Sequence, residues 1–142
     1  MLRGKLIHPE ILEALGRAGH GSKVLIADGN YPFATAVGPR ARLVFLNLSP
    51  GLLKVTDVLR VLAEAIPIEA AAVMMPPGEE PPIFAEFRDI LAEDLELQRL
   101  ERFDFYNASR DESVALLVAT GEERIYANVL LTIGVVRSSA EG

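Results

Sequence analysis

Cysteine and tryptophan are missing from the 142-residue sequence, and histidine occurs only twice. Without cysteine there is no disulfide, no thiolate nucleophile and no cysteine metal site. Two histidines also argue against a histidine-rich metal site. No apolar run approaches the roughly 18 residues that a membrane helix needs, so a membrane partner is not expected. Basic residues are outnumbered, 14 against 20, giving a formal charge of −6. Nucleic acid and anionic surfaces recruit basic patches, and that balance argues against both. Residues 1 to 9 hold basic side chains but no apolar core before Pro9, so no secretory leader and a cytoplasmic protein are expected. There is no internal repeat.

What the sequence does have is apolar content, half of all residues. A chain of this length reads as one domain, 1–142, able to bury a substantial core. The surplus apolar surface points to subunit interfaces and hence a homo-oligomer.

Helical spacing of Ile11, Leu12, Leu15 and Ala18 behind Pro9-Glu10 predicts a helix from Pro9 to Ala18, ending at Gly19. His8, directly before Pro9, reads as the residue that starts this helix. Lys23 to Ala27 is an apolar run between turn residues, the pattern of a buried strand. Residues Gly29 to Arg42 read as loop, Leu43 to Leu48 as a second strand, and Leu53 to Ala65 as an amphipathic helix. Ala70 to Met75 reads as a third buried strand, with helix the alternative that its alanine content leaves open. The run Pro76-Pro77-Gly78-Glu79-Glu80-Pro81-Pro82 is a surface loop. Ile83 to Leu97 has helical period, and Arg99 to Phe103 suits a strand, with Asp104 capping a short helix to about Asp111. Val114 to Thr120 reads as another strand, and Ile125 to Val136 as one more strand or a strand pair. This alternation predicts an α/β fold with a mostly parallel central sheet and helices on both faces. The tight Thr120–Glu123 turn suits an antiparallel hairpin at an edge.

Several residues carry possible chemistry. The run from Gly16 to Lys23 imitates a phosphate-binding loop, but its last two residues are swapped and it precedes a strand instead of a helix. It is set aside. His20 lies between glycines in "GHGSKVLIADGNYP" and reads either as a surface histidine or as an acid–base group. Because it precedes the strand, it would have to fold back or reach a neighbouring subunit's site. Asp28 stands where that strand emerges, the side on which parallel sheets bind ligands. It reads equally as a partner for a polyol and as the first residue of an Asp-Gly turn. Tyr126 and Asn128, two apart in "IYANVLL", would share one strand face and offer donors and acceptors to hydroxyls. An ordinary half-exposed strand gives the same pattern. Arg102 in "LERFDFY" is either a fork for sugar oxygens beside aromatic rings or a solvated charge.

Taken in order, "GHGSKVLIADGNYP", "RFDFY" and "TGEERIYANVLL" resemble the ribose pyranase/fucose mutarotase family over essentially the whole chain. The resemblance implies a layered α/β domain and a cofactor-free isomerase that interconverts ring forms of a free monosaccharide. It implies rings of subunits, often decamers, with sites at subunit boundaries. It assigns the catalytic histidine to His20 and substrate contacts to Asp28, Arg102, Tyr126, Ala127 and Asn128. The aromatic pattern around Arg102 resembles the L-fucose branch. D-ribose pyranase activity, or sugar binding without catalysis, are the alternatives.

Overall fold

The strand Lys23–Ala27 (β1) explains the architecture, because its side chains are buried on both faces from Val24 onward. Such a strand must lie inside a sheet covered on each side. In the computed structural model, which describes residues 1–139, β1 is one of the two central strands of a six-stranded sheet. The other strands are β2 (Arg42–Phe45), β3 (Ile68–Met74), β4 (Leu97–Leu100), β5 (Val114–Ala119) and β6 (Val129–Ile133). Their spatial order is β2-β5-β1-β6-β3-β4. The helices are α1 (Pro9–Ala18), α2 (Val55–Ala65), α3 (Ile83–Ile90) and α4 (Arg102–Ser109).

The pairs β1·β5, β2·β5 and β3·β4 are parallel, while β6 runs antiparallel to both β1 and β3. The fold is therefore the expected mostly parallel α/β sheet, with one difference of position. The antiparallel strand is central, and β5 and β6 form no hairpin: β1 lies between them. Residues 120–128 consequently cross over the carboxyl end of β1. The amino end of β6 is brought among the carboxyl ends of the other five strands.

One face of the sheet packs Val24, Ile26, Val129 and Leu131 against Ile11 of α1, Leu59 of α2 and Phe84 of α3. On the opposite face Leu25, Leu117 and Leu130 meet Phe105 of α4 and the segment holding Tyr31 and Ala36. Phe105 is fully buried, and burying a ring of that size contributes roughly 1.5–3 kcal/mol. That ring anchors the helix which carries Arg102 and Tyr106.

Helix α1 begins and ends where the sequence predicts, with His8 as its N-cap: the ring Nδ1 accepts from the Ile11 amide at 3.4 Å. Other boundaries differ. Strand β2 stops at Phe45 because β5, its only partner in the sheet, ends opposite it at Ala119. Leu48 is left 84 % exposed. The α2 helix starts at Val55, two residues late, where the Asp57 carboxylate accepts from the Lys54 amide at 3.0 Å. Helix α3 ends at Ile90, not Leu97, because parallel pairing with β3 draws Leu97–Leu100 into the sheet. Arg102 and Phe103 belong to α4 and not to a strand. The cap of that helix is Glu101, not Asp104: its Oε1 accepts from the Phe103 and Asp104 amides at 2.9 and 3.0 Å. Strand β6 begins only at Val129, so Tyr126 and Asn128 lie ahead of it. Among the described residues, no helix is long and apolar enough to cross a membrane.

Candidate active site

The carboxyl ends of β1 and β3, the start of α4 and the segment before β6 surround a cavity of about 160 Å³. Drug-sized ligands occupy clefts of roughly 300–1,000 Å³, so this space suits something smaller. Its polar lining is Asp28, Asn30, Arg102, Tyr126 and Asn128, and its less polar walls are Tyr31, Met74, Tyr106 and Ile125.

Asp28 is 3 % exposed yet carries a carboxylate. Its Oδ1 accepts from the Asn30 amide at 2.9 Å and its Oδ2 from the Ala127 amide at 3.2 Å. Burial pushes its pKa up; the amides of Asn30, Ala127 and Tyr31 pull the other way without cancelling it, and nearby Glu122 adds to the rise. The backbone N–H of Asp28 donates to Asn128 Oδ1 at 2.7 Å. Asn128 thereby commits its oxygen to the protein. The turn reading of Asp28 holds, since its carboxylate accepts from Asn30, and the same carboxylate lines the cavity.

Arg102 Nη2 donates to the Tyr126 hydroxyl at 3.0 Å. A phenol oxygen that accepts from a cation keeps its own O–H for another acceptor. Tyr126 has φ +57°, the left-handed region that a tyrosine rarely occupies. The shared strand face expected for Tyr126 and Asn128 is therefore absent. A turn brings both side chains to the cavity instead. Arg102 sits at the first position of α4, where a positive charge opposes the helix dipole; local rules are most often broken in this way at functional sites. Tyr31 donates to the Ala36 carbonyl at 2.6 Å and its pKa is pushed up to about 12 by burial, which leaves it a neutral wall. The Tyr106 ring meets it edge-on, centroids 5.7 Å apart.

His20 is elsewhere. Gly19 and Gly21 adopt φ of +97° and +84°, so the glycines do supply the turn that presents it. That turn lies at the amino end of β1, and five residues of extended chain, roughly 16 Å, separate the two ends of the strand. The imidazole does not fold back toward Asp28. Its Nε2 stands 2.8 Å from Glu69 Oε1 on β3, and both side chains are about half exposed. Asp28, Arg102, Tyr126 and Asn128 thus converge within one chain, with Ala127 contributing a backbone amide, and His20 does not join them.

Glu69, Tyr31 and Met74 carried no sequence signal of their own, and Tyr106 only its place in the aromatic run after Arg102. Glu69 follows Pro67-Ile68 as any exposed acid could, and the aromatic pair joins positions 75 residues apart. Among the described residues no group of three His, Cys, Asp or Glu could hold a metal ion.

The model of the RbsD / FucU transport protein family matches residues 1–136. The chain belongs to this family. A mouse relative of this member, named fucose mutarotase, is 35 % identical over 143 residues, covering 92 % of this chain and 90 % of its own. The human fucose mutarotase is 30 % identical with the same coverage. The family fold is shared with the crystal structure of the Streptococcus pneumoniae fucose mutarotase in complex with L-fucose, at TM-score 0.81 and 27 % identity, covering 96 % of this chain and all of that one. It is shared equally with Bacillus subtilis RbsD complexed with D-ribose, at TM-score 0.82 and 24 % identity, with the same coverage.

Proposed function

We propose that this protein is a monosaccharide mutarotase that interconverts the α and β anomers of L-fucose without a cofactor. The observation that carries this reading is the likeness, over nine-tenths of both chains, to the mouse protein named fucose mutarotase. The small polar cavity supports it independently, since it offers hydroxyl-binding groups and space for little more than one ring.

Opening a hemiacetal requires a base to take the proton of the anomeric hydroxyl and an acid to protonate the ring oxygen as its bond to the anomeric carbon breaks. Reclosure on the other face of the aldehyde reverses both transfers. Nothing is oxidised or reduced. The proposed base and acid is His20, because an imidazole can both accept and donate a proton near neutral pH. Such a group typically contributes about 10²–10⁴ in rate, enough for a reaction that water already supports. Glu69, 2.8 Å from the ring, orients it. The hydroxyls are held by the Asp28 carboxylate, the Arg102 guanidinium, the Ala127 backbone and the Asn128 amide. Tyr126 or a water relays the second proton.

His20 and the cavity of its own chain occupy opposite ends of the sheet. The reading therefore has His20 serve the cavity of a second copy in a homo-oligomer, as in the rings that the family resemblance implies. Exposed Phe45, Leu48, Phe103 and Ile125, each at least 59 % accessible, support a covered surface. A cytoplasmic location, where free sugars enter metabolism, completes the proposal.

The test is magnetisation-exchange NMR on L-fucose and D-ribose at equilibrium, with and without protein. Exchange between α- and β-fucose that grows with protein concentration is expected. Acceleration with ribose alone would replace the reading by a pyranase. Sugar binding without acceleration would make the protein a binding accessory.

A further inference from the structure

We propose that Glu122 and Arg124, neither of which lines the sugar cavity, form a brace that sets where Tyr126 and Asn128 stand. They are positioning residues for the substrate, and the inference rests on the reading of that cavity as a sugar site.

Glu122 is an acid whose side chain is only 2 % exposed. Its Oε1 accepts from Arg124 Nη2 at 2.7 Å and from the Val55 amide at 3.3 Å, the first amide of α2. Its Oε2 accepts from the Arg124 backbone at 3.2 Å and from Arg124 Nε at 3.1 Å. Burial would raise this carboxyl's pKa, but the guanidinium and the amides outweigh it and hold the group ionised, below the usual carboxylate range. The guanidinium then continues outward. Its Nη1 donates to Glu86 on α3 and its Nη2 approaches Thr56 Oγ1 on α2 at 3.4 Å. On the sheet side the Glu122 carbonyl accepts from Gly29 at 2.9 Å, immediately after Asp28.

Residues 122–124 are thus tied to α2, to α3 and to the exit of β1. A single residue, Ile125, intervenes before Tyr126, whose left-handed backbone must be held by its surroundings. The fixings on its far side are the Ala127 amide on Asp28 and the Asn128 oxygen on the Asp28 amide. Arg124 supplies the near side. A buried ion pair adds little net stability over an apolar pair of like volume, so stability alone gives no reason for charge at this point. Geometry does: a forked arginine on a fixed carboxylate defines direction as well as distance.

The test is the dependence of L-fucose exchange on sugar concentration, measured for the wild type, Glu122→Gln, Arg124→Lys and Glu86→Gln, well below each protein's melting temperature. Lysine keeps the charge of Arg124 but loses the fork. Arg124→Lys and Glu122→Gln are expected to raise KM by roughly tenfold, with a smaller fall in kcat, while circular dichroism reports a native fold. Glu86→Gln cuts only the exposed end of the brace and should raise KM about twofold; it carries the test if the buried variants fail to fold. A folded Arg124→Lys or Glu86→Gln protein with wild-type KM overturns the brace and leaves the sugar site standing. A wild type that accelerates exchange of neither L-fucose nor D-ribose overturns both.

Discussion

Replacing Asp28 by asparagine sets two effects of similar size against each other. The carboxylate is almost fully buried, and burial with Glu122 nearby holds its pKa above the ordinary value. Removing the charge relieves that penalty. Against this, each oxygen accepts a backbone N–H, from Asn30 at 2.9 Å and Ala127 at 3.2 Å. An amide has one oxygen, so its nitrogen must face one of those donors. A buried donor left unmet costs about 1–3 kcal/mol. Because the hydrogen bonds offset much of the burial penalty in the wild type, the lost acceptor should dominate. Asp28→Asn is expected to lose about 1–3 kcal/mol at pH 7, a fall in Tm of roughly 3–10 °C for a chain of this size.

The pH dependence follows from the direction of the shift. A carboxyl whose folded pKa is raised contributes stability that is full below its unfolded pKa, about 3.9, and is lost as pH rises through the folded value. The gap between wild type and Asp28→Asn should therefore widen as pH falls from 7 toward 4. Every other carboxylate except Glu122, which is coupled to Asp28, cancels in the difference. Urea unfolding of the two proteins at matched concentration, in steps of pH, measures the gap. A variant more stable than wild type at pH 7, or a gap that does not change with pH, would refute the reasoning.

Three further outcomes are expected. His20→Ala should lower the exchange rate by about 10²–10⁴ while sugar titration by NMR still shows binding, and Glu69→Gln should lower kcat less, with KM little changed; equal rates in wild type and His20→Ala would remove the histidine from the mechanism. A Cβ at Gly121 would lie 2.3 Å from the Leu52 carbonyl and 2.4 Å from that of Ser49, both backbone. Gly121→Ala should thus cost about 1–3 kcal/mol by urea unfolding and slow exchange by displacing the segment before Tyr126; an unchanged midpoint would mean the turn yields freely.

Local pattern made much of this fold readable, and nonlocal pairing hid the rest. Helix α1 was legible because Pro9, the spacing of its apolar residues and Gly19 all act within one segment. Strand β1 was legible as an apolar run between turns. Leu97 and Arg99 have no such signature: they are strand only because β3 lies alongside. The central antiparallel placement of β6 follows from β1 and β3 competing for its two edges, which no window of the sequence contains.

At the site, Asp28 was visible as an acid at the end of a buried strand. Tyr126 and Asn128 were picked out by a period-two argument, although their convergence comes from a left-handed turn. Glu122 was hidden, since Gly121-Glu122-Glu123 reads as an exposed acidic turn. The side chain of Arg124, arriving from two residues on, makes its burial tolerable together with the amides of Arg124 and Val55.

The central claim is that ring opening uses His20 of one copy and Asp28 of another. Co-assembly of His20→Ala with Asp28→Ala, each inactive alone, tests it most directly by magnetisation exchange on L-fucose. In equal mixtures about a quarter of the sites would regain both groups, and exchange should return to about that fraction of the wild-type rate. Mixed oligomers that form but stay inactive would contradict a site shared in this way.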